Sequence, residues 1–316
     1  MKKTQILHNQ NKIQSETVSR VKYANEHQEF SIRMVFNGDE HYAIGNRNIT
    51  IYPGNFLIIN EGTVFTSEIV SDVPVNTLSV LYNAQFLNSF HRTITSTDNE
   101  LIDEPFHVPS GSIPVFPETL YPFKGDMMFN SVHLKNLFNS DTNDDVLMNE
   151  YLYHCLLNFY RIYQKEILEK SEQLNVLKSN TRTELFKRLN NAKDYMISNY
   201  NKDISLNEIC QYCCLSETHF FRSFRQTFHC TPHQYLMQLR LSQSKHMLKN
   251  TSYEVKEIVS IIGFDCVSSF IRLFKNRFGI TPGNYRVGFA AQGRLGPFFI
   301  EILQAPLGGK RRYNNN

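Results

Sequence analysis

Apolar residues recur at helical spacing in the last third of the chain and fall into shorter clustered runs before it. Leu206, Ile209, Cys210 and Cys213 lie at i, i+3, i+4 and i+7, which predicts one inward face of a helix. Ser205, with Glu208 three residues on, gives that helix a capping-box start. Leu215-Ser216 supplies a turn, and Ser216 can cap a second helix. In that helix Phe220, Phe224 and Phe228 recur every fourth residue as a buried stripe. Thr218, Phe221, Arg222 and Arg225 fall on another face, predicted to point outward.

The pattern returns fifty residues later: Phe270, Arg272, Phe274, Lys275, Phe278, Thr281, Pro282 and Tyr285 repeat Phe220, Arg222, Phe224, Arg225, Phe228, Thr231, Pro232 and Tyr235. A fixed-period self-match marks a repeated structural unit. Val255, Ile258, Val259 and Ile262 form the inward face of its support helix, Gly263-Phe264 the turn, and Asp265 the cap of the helix that follows. Ser268, Ile271, Arg272 and Lys275 then lie on the outward face. Each unit is two short helices joined by a tight turn, aromatics inside and cations outside. A helix-turn-helix reader is built this way, because Arg can bond guanine bidentately in a major groove and an apolar group can touch a thymine methyl. An ordinary helical core with a solvated basic face is the competing account. It explains one copy as well, but two copies matching at eight positions poorly.

Pro232 to Asn250 is predicted to be one helix between the units, with Tyr235, Leu236, Leu239, Leu241 and Met247 as its apolar positions. At ~1.5 Å per residue it would span roughly 28 Å. Successive major-groove segments on one face of a duplex are about 34 Å apart. The two outward faces would then meet one duplex about a turn apart.

The front of the chain predicts β structure. Ile49–Tyr52, a Pro53-Gly54-Asn55 turn and Phe56–Ile59 suggest a hairpin-like pair; 30–36, 65–70 and 75–82 are further strands. Many short strands suggest a sandwich or a barrel. Residues 144–177 are strongly helical, with a stripe of Leu147, Tyr151, Cys155, Leu156, Tyr160 and Tyr163 that would pack on the barrel or form a dimer seam, the second being slightly favoured. Residues 165–187 are polar enough for a linker, and 186–200 would open the reader.

Charge divides along the same line. The net charge is +3 overall, but residues 185–288 carry 14 Lys and Arg against 7 Asp and Glu, and residues 1–184 carry 15 against 22. An acidic front and a basic back fit a sensor joined to a nucleic-acid reader. No apolar run is long enough to span a membrane and no secretory core opens the chain, so a cytoplasmic protein is expected. The 6 cysteines have no disulfide framework, and Cys210 and Cys213 fall on an apolar helix face, so neither disulfides nor a metal site is expected. His41, His107 and His133 form no ligand cluster. Esterase, phosphate-loop and zinc-protease motifs are missing, so neither catalytic residues nor a cofactor is expected.

Glu257-Ile258-Val259, Gly263-Phe264-Asp265, Phe270, Arg272, Phe274-Lys275, Phe278-Gly279-Ile280-Thr281-Pro282 and Tyr285-Arg286 together resemble the signature of AraC/XylS-type transcription regulators. The resemblance covers about a third of the chain, from 185 to 286. His229 departs from it where the first unit usually has Gly, Cys210 and Val259 where Ala is common, and Ser269 where Tyr is frequent. The resemblance implies that Thr218, Phe221 and Arg222, and Val267, Ser268, Ile271 and Arg272, face DNA bases. It also implies a cupin-like sensor in front. The expected fold is α+β: a cupin-like β-barrel or sandwich at 1–143, a helical dimerisation or linker segment at 144–184, an all-α domain with two helix-turn-helix units at 185–288, and a tail at 289–316 without assigned role. The expected function is a DNA-binding regulator, an activator and homodimer. Its expected partners are double-stranded promoter DNA, RNA polymerase and a small-molecule effector, with no membrane. The alternative is a small-molecule-binding or enzymatic cupin protein whose helical half is structural.

Overall fold

Two long strands organise the front half. The computed structural model describes residues 2–103, 115–140, 144–174 and 178–292. Strands β1 (Lys2–Ile6), β2 (Lys12–His27), β3 (Ser31–Asn37), β4 (Glu40–Ile44), β5 (Arg47–Ile51), β6 (Asn55–Ile59) and β7 (Val64–Leu81) come first. After α1 (Ala84–Thr95) and α2 (Asp98–Asp103) comes β8 (Leu120–Pro122). The described strands form one sheet of order β1-β2-β7-β3-β6-β8, with β4 joined to β5 and β7. One edge of β7 runs along β2. Its other edge carries β4 at one end, from His41 opposite Glu68 to Ile44 opposite Phe65, and β3 at the other, from Ser31 opposite Leu81. The sheet is thereby folded about β7.

Strand periodicity sorts the side chains onto two faces. Ile32, Met34, Phe56, Ile58, Leu78 and Val80 join the buried cluster beneath the helices, while Val35, Leu57, Ile59, Tyr42, Ile49 and Ile51 join a second, inner cluster. Strands β3 and β6 are therefore covered on both sides, and their near-continuous apolar runs follow from that.

The predicted strands all exist, with two corrections. Residues 49–52 and 56–59 are not a hairpin. Asn55 N–H does close the turn onto the Tyr52 carbonyl at 3.1 Å. But β5 pairs with β4, and β6 pairs with β3 and β8. Because β6 buries both faces, it is drawn into the sheet interior, and the turn becomes a corner. Second, 65–70 and 75–82 belong to one strand. Between Val70, opposite Arg20, and Val75, opposite Val18, the register shifts. Pro74, which cannot donate to a ladder, sits in that irregular stretch. Strand β2 escaped prediction because only its first part is buried.

Helix α3 (Gly125–Asn139) and helix α4 (Asp145–Tyr163) cover the sheet; α4 continues through a π-helical turn (Gln164–Glu169) into α5 (Lys170–Glu172). Phe159 of α4 lies 5.9 Å from Phe30, 6.3 Å from Phe56 and 4.9 Å from Phe116, measured between ring centres. Met148, Leu152, Cys155 and Leu156 are buried with it. Of the predicted stripe, Cys155 and Leu156 are buried in this packing, while Leu147, Tyr151, Tyr160 and Tyr163 are half-buried.

Helix α6 (Ser179–Ser198) begins before residue 186, so most of the expected linker at 165–187 is helical. Its last two turns dock on the sheet. The Asp194 carboxylate accepts from Thr119 Oγ1 at 2.7 Å and Leu120 N at 3.1 Å, and Ser198 Oγ accepts from Thr50 N at 2.9 Å. Tyr52 and Tyr200 meet edge to face at 4.9 Å. Burial pushes the Asp194 carboxyl above its usual range and the adjoining Lys193 ammonium below its own. The remaining helices are α7 (Leu206–Cys213), α8 (Glu217–Phe228), α9 (Pro232–Asn250), α10 (Val255–Ile261), α11 (Val267–Phe278) and α12 (Pro282–Gln292). His107 and residues 293–316 of the tail lie outside the described residues.

Candidate nucleic-acid interface

Helices α7 and α8 form the first unit. Ser205 and Glu208 make the predicted capping box, with Glu208 N bonded to Ser205 Oγ at 3.2 Å. Cys214, at φ 54°, ends α7 in the left-handed region and turns the chain toward Ser216, whose hydroxyl caps α8. Ile209, Cys210 and Cys213 are buried as predicted. Leu206 is not: it is 37% exposed, because the first turn of α7 projects past the core. In α8, Phe220 and Phe224 are fully buried, and Phe224 lies tilted against Phe228 at 4.5 Å and edge to face with Tyr235 at 5.6 Å.

Helices α10 and α11 repeat this. Ile258, Val259, Ile262, Phe270 and Phe274 are buried, and Phe274 meets Phe278 at 4.6 Å and Tyr285 at 5.9 Å. Gly263 has φ 77°, and a Cβ there would sit 2.9 Å from the Asn201 carbonyl oxygen, so both conformation and space require glycine. Asp265 does not cap α11; Cys266 holds the N-cap position without a side-chain cap bond. The turn carries one residue more than in the first unit, which moves Asp265 away from the helix start.

Helix α9 spans the predicted Pro232–Asn250, capped by Thr231 and Gln234. The sequence reading missed Arg240. Its guanidinium is buried and donates from Nε to the Tyr200 carbonyl and from Nη2 to the Lys202 carbonyl, both at 2.8 Å. It thus ties the end of α6 to the linker, 3.1 Å from where a Gly263 Cβ would stand. A signal was present: Arg240 falls at i+4 from Leu236 and i−4 from Ser244, inside the buried stripe.

The predicted outward faces are outward. Thr218, Phe221, Arg222 and Arg225 on α8 are exposed, as are Ser268, Ile271, Arg272 and Lys275 on α11; Val267 is half-buried. Phe221 and Ile271 rank among the exposed large hydrophobics. Among the described residues, no hydrogen bond or ion pair engages the side chains of Arg222, Arg225, Arg272 or Lys275, so their donors are available to another molecule. Each face therefore offers free cations beside one exposed apolar side chain. His41 and His133 join no group of metal-ligating side chains among the described residues.

Comparison with known proteins agrees with this geometry. Residues 209–288 match the family model described as a helix-turn-helix domain. The Msm operon regulatory protein of Streptococcus mutans is 27% identical over 38% of this chain and 42% of its own length. The HTH-type transcriptional regulator GbdR of Pseudomonas aeruginosa is 33% identical over 29% of this chain and 25% of its own. The chain thus matches less than half the length of these relatives. A solved transcriptional regulator of the AraC-type DNA-binding class from Chromobacterium violaceum is 29% identical over 34% of this chain and 95% of that one, at a TM-score of 0.32. The C-terminal part of the chain is a helix-turn-helix DNA-binding domain. The helix-turn-helix unit is present in it twice, as α7–α8 and as α10–α11. No helix among the described residues is long and apolar enough to cross a membrane.

Proposed function

We propose that the chain is a sequence-specific transcription regulator that lays α8 and α11 into successive major-groove segments of promoter DNA. Thr218, Phe221, Arg222 and Arg225 serve the first segment, and Val267, Ser268, Ile271, Arg272 and Lys275 the second. The observation that carries this is the pair of matched, unpartnered cationic faces on repeated helices; a purely structural helical half has no use for them. In this reading the front half is a cupin-like sensor for a small-molecule effector. Its docking through Asp194, Ser198 and Tyr200 supports a mechanical link to the reader. Homodimerisation, activation by contact with RNA polymerase and a cytoplasmic location complete the reading.

Arg222→Ala and Arg272→Ala should each weaken the preferred site by ~1–3 kcal/mol and relax preference at one or two base pairs. Lys275→Ala should weaken all sequences alike and flatten the salt slope by about one unit. Selection from a random DNA pool with the purified chain, followed by binding titrations, measures both. Equal losses on selected and random DNA would reassign the arginines to phosphates. A two-residue insertion after Lys245 should turn the second unit by about 200° and shorten the footprint by about half; an unchanged footprint would sink the two-groove arrangement.

A further inference from the structure

Between the inner faces of β2, β3, β4 and β7 lies a cavity of about 90 Å³ that the reader domain does not touch. Of the charged side chains in its wall, Lys2, Glu16 and Glu26 reach solvent, while two of opposite sign are more than nine-tenths buried: Arg33, 7% exposed, and Glu40, 8% exposed. They face one space and influence each other electrostatically, yet form no ion pair. Arg33 spends three donors on neutral oxygens, those of Ser31, Ser79 and Gln28, and stacks over the Phe65 ring at 5.1 Å. Its remaining two donors are uncommitted. Beside Glu40 lies the buried hydroxyl of Tyr42, which leans on its carboxyl. Burial pushes the Glu40 carboxyl above its usual range, against the pull of Arg33 and the nearby Tyr42 and Ser67 hydroxyls.

Separated buried charges are expensive unless something satisfies them. The pieces of this wall are complementary to one kind of molecule. We propose that the cavity takes a small zwitterion, a compact α-amino acid, with its carboxylate on Arg33 and its ammonium on Glu40. Ser67 and Thr77 line the same space and can accept from the ammonium. Size narrows the class. A cavity of ~150 Å³ takes one benzene ring, so this smaller one has room for only a handful of heavy atoms. Glycine, alanine and serine fit within that; a sugar ring does not. Gln14 and Gln28 line both this cavity and an open outer groove. This deepens the reading of the front half as a sensor and rests on it.

The test is calorimetric titration of the full chain with glycine, L-alanine and L-serine at millimolar concentration. Ethylammonium, propionate and erythritol serve as probes carrying only the cation, only the anion and only hydroxyls. At least one amino acid should bind, with each of the three probes at least ~10-fold weaker. Glu40→Gln should weaken the amino acid ~10-fold or more and leave propionate unchanged. Its thermal melt and circular dichroism report whether it folds, and Ser67→Ala provides a second variant with smaller structural risk and a weaker loss in the same direction. Absence of heat with every amino acid, equal binding of erythritol or of a single-charge probe, or full affinity in both variants would overturn the proposal. Salt-sensitive DNA retention, measured on the same sample, separates the outcomes: retention without amino-acid heat overturns this inference alone, and loss of retention strikes the regulator reading.

Discussion

The two helix-turn-helix units share a core and differ at their turns. Both bury two Phe per reading helix and end that helix against Thr-Pro. But the first unit places Cys214 at φ 54° and His229 at φ 57°, where the second has Gly263 at φ 77° and Gly279 at φ 76°. A left-handed backbone costs an L-residue ~1–2 kcal/mol and a glycine almost nothing. The first unit therefore carries strain that the second avoids. The bracing differs as well. Arg188 Nη1 donates to the Cys214 carbonyl at 3.0 Å, and Gln226 Nε2 to the Gln173 carbonyl at 2.7 Å, so α8 is held to helices that also serve the sheet. At its turn the second unit meets Arg240, whose guanidinium lies over the Phe264 ring at 5.9 Å, and behind it Arg286 donates from Nε to the Leu248 carbonyl at 3.3 Å. Strain is tolerated where outside contacts fix the turn, and removed where the turn itself must fit a close approach.

The largest test of this contrast is Gly263→Ala. The methyl would meet the Asn201 carbonyl at 2.9 Å in a left-handed backbone, so the second unit should lose ~2–4 kcal/mol. Hydrogen exchange should show α10 and α11 opening while α7 and α8 stay protected. Loss of protection in both units together would show that they fold as one body and are not separately braced.

Arg240→Met comes next. It keeps the buried length but leaves the Tyr200 and Lys202 carbonyls without their donor. A loss of ~2 kcal/mol in denaturant unfolding is expected, given ~1–3 kcal/mol for an orphaned buried polar group. A change under ~0.5 kcal/mol would mean that water replaces the guanidinium freely.

The linker that both units share has its own pH signature. Burial, then Lys249, holds the His246 imidazole down at about 4, well below its usual range. A depressed histidine stabilises the fold fully above its unfolded pKa of about 6.5, and that stability is lost as pH falls toward about 4. Partial exposure limits the effect to ~1–2 kcal/mol. Asp194, raised by burial, acts in the opposite sense: its share is present at low pH and lost as pH rises through its folded value. His246→Leu should thus flatten the decline between pH 6.5 and pH 4.5 in unfolding titrations; an unaltered slope would place the acid sensitivity elsewhere.

Much of the reader was legible because its signals are local. Capping residues, the four-residue Phe spacing and the Thr-Pro restarts all act within one or two turns. What stayed hidden depends on partners distant in sequence. Arg240 looks like a solvated cation until α6 supplies carbonyls, and Asp265 looks like a cap until the longer turn displaces it. In the front half, the run from Ile49 to Ile59 shows a turn, yet nothing local says that β5 leaves for β4 while β6 is claimed by β3. Strand β2 has too little buried face to betray its length. The Arg33–Glu40 cavity arises only when β3 and β4 flank β7, a pairing no spacing predicts.

The smallest expected effect tests the strain directly. At the end of α8, His229 occupies the left-handed cap and its N–H bonds the Arg225 carbonyl at 3.0 Å, as Gly279 does to Lys275 at 2.8 Å. His229→Gly keeps that bond and removes the steric conflict. It also loosens the unfolded chain, which offsets part of the gain. Histidine tolerates this region better than branched residues do. The net should be a stabilisation of ~0.5–1 kcal/mol, read as a small rise in denaturant midpoint with an unchanged slope. The mirror change, Gly279→Ala, should cost ~1 kcal/mol, because it introduces in the second unit the strain already present in the first. DNA affinity should be nearly unaffected in both, since neither residue lies on the outward faces of α8 and α11. If His229→Gly destabilises while Gly279→Ala also destabilises, the His229 side chain makes a compensating contact that outweighs its backbone strain. The difference between the units would then lie in their bracing alone.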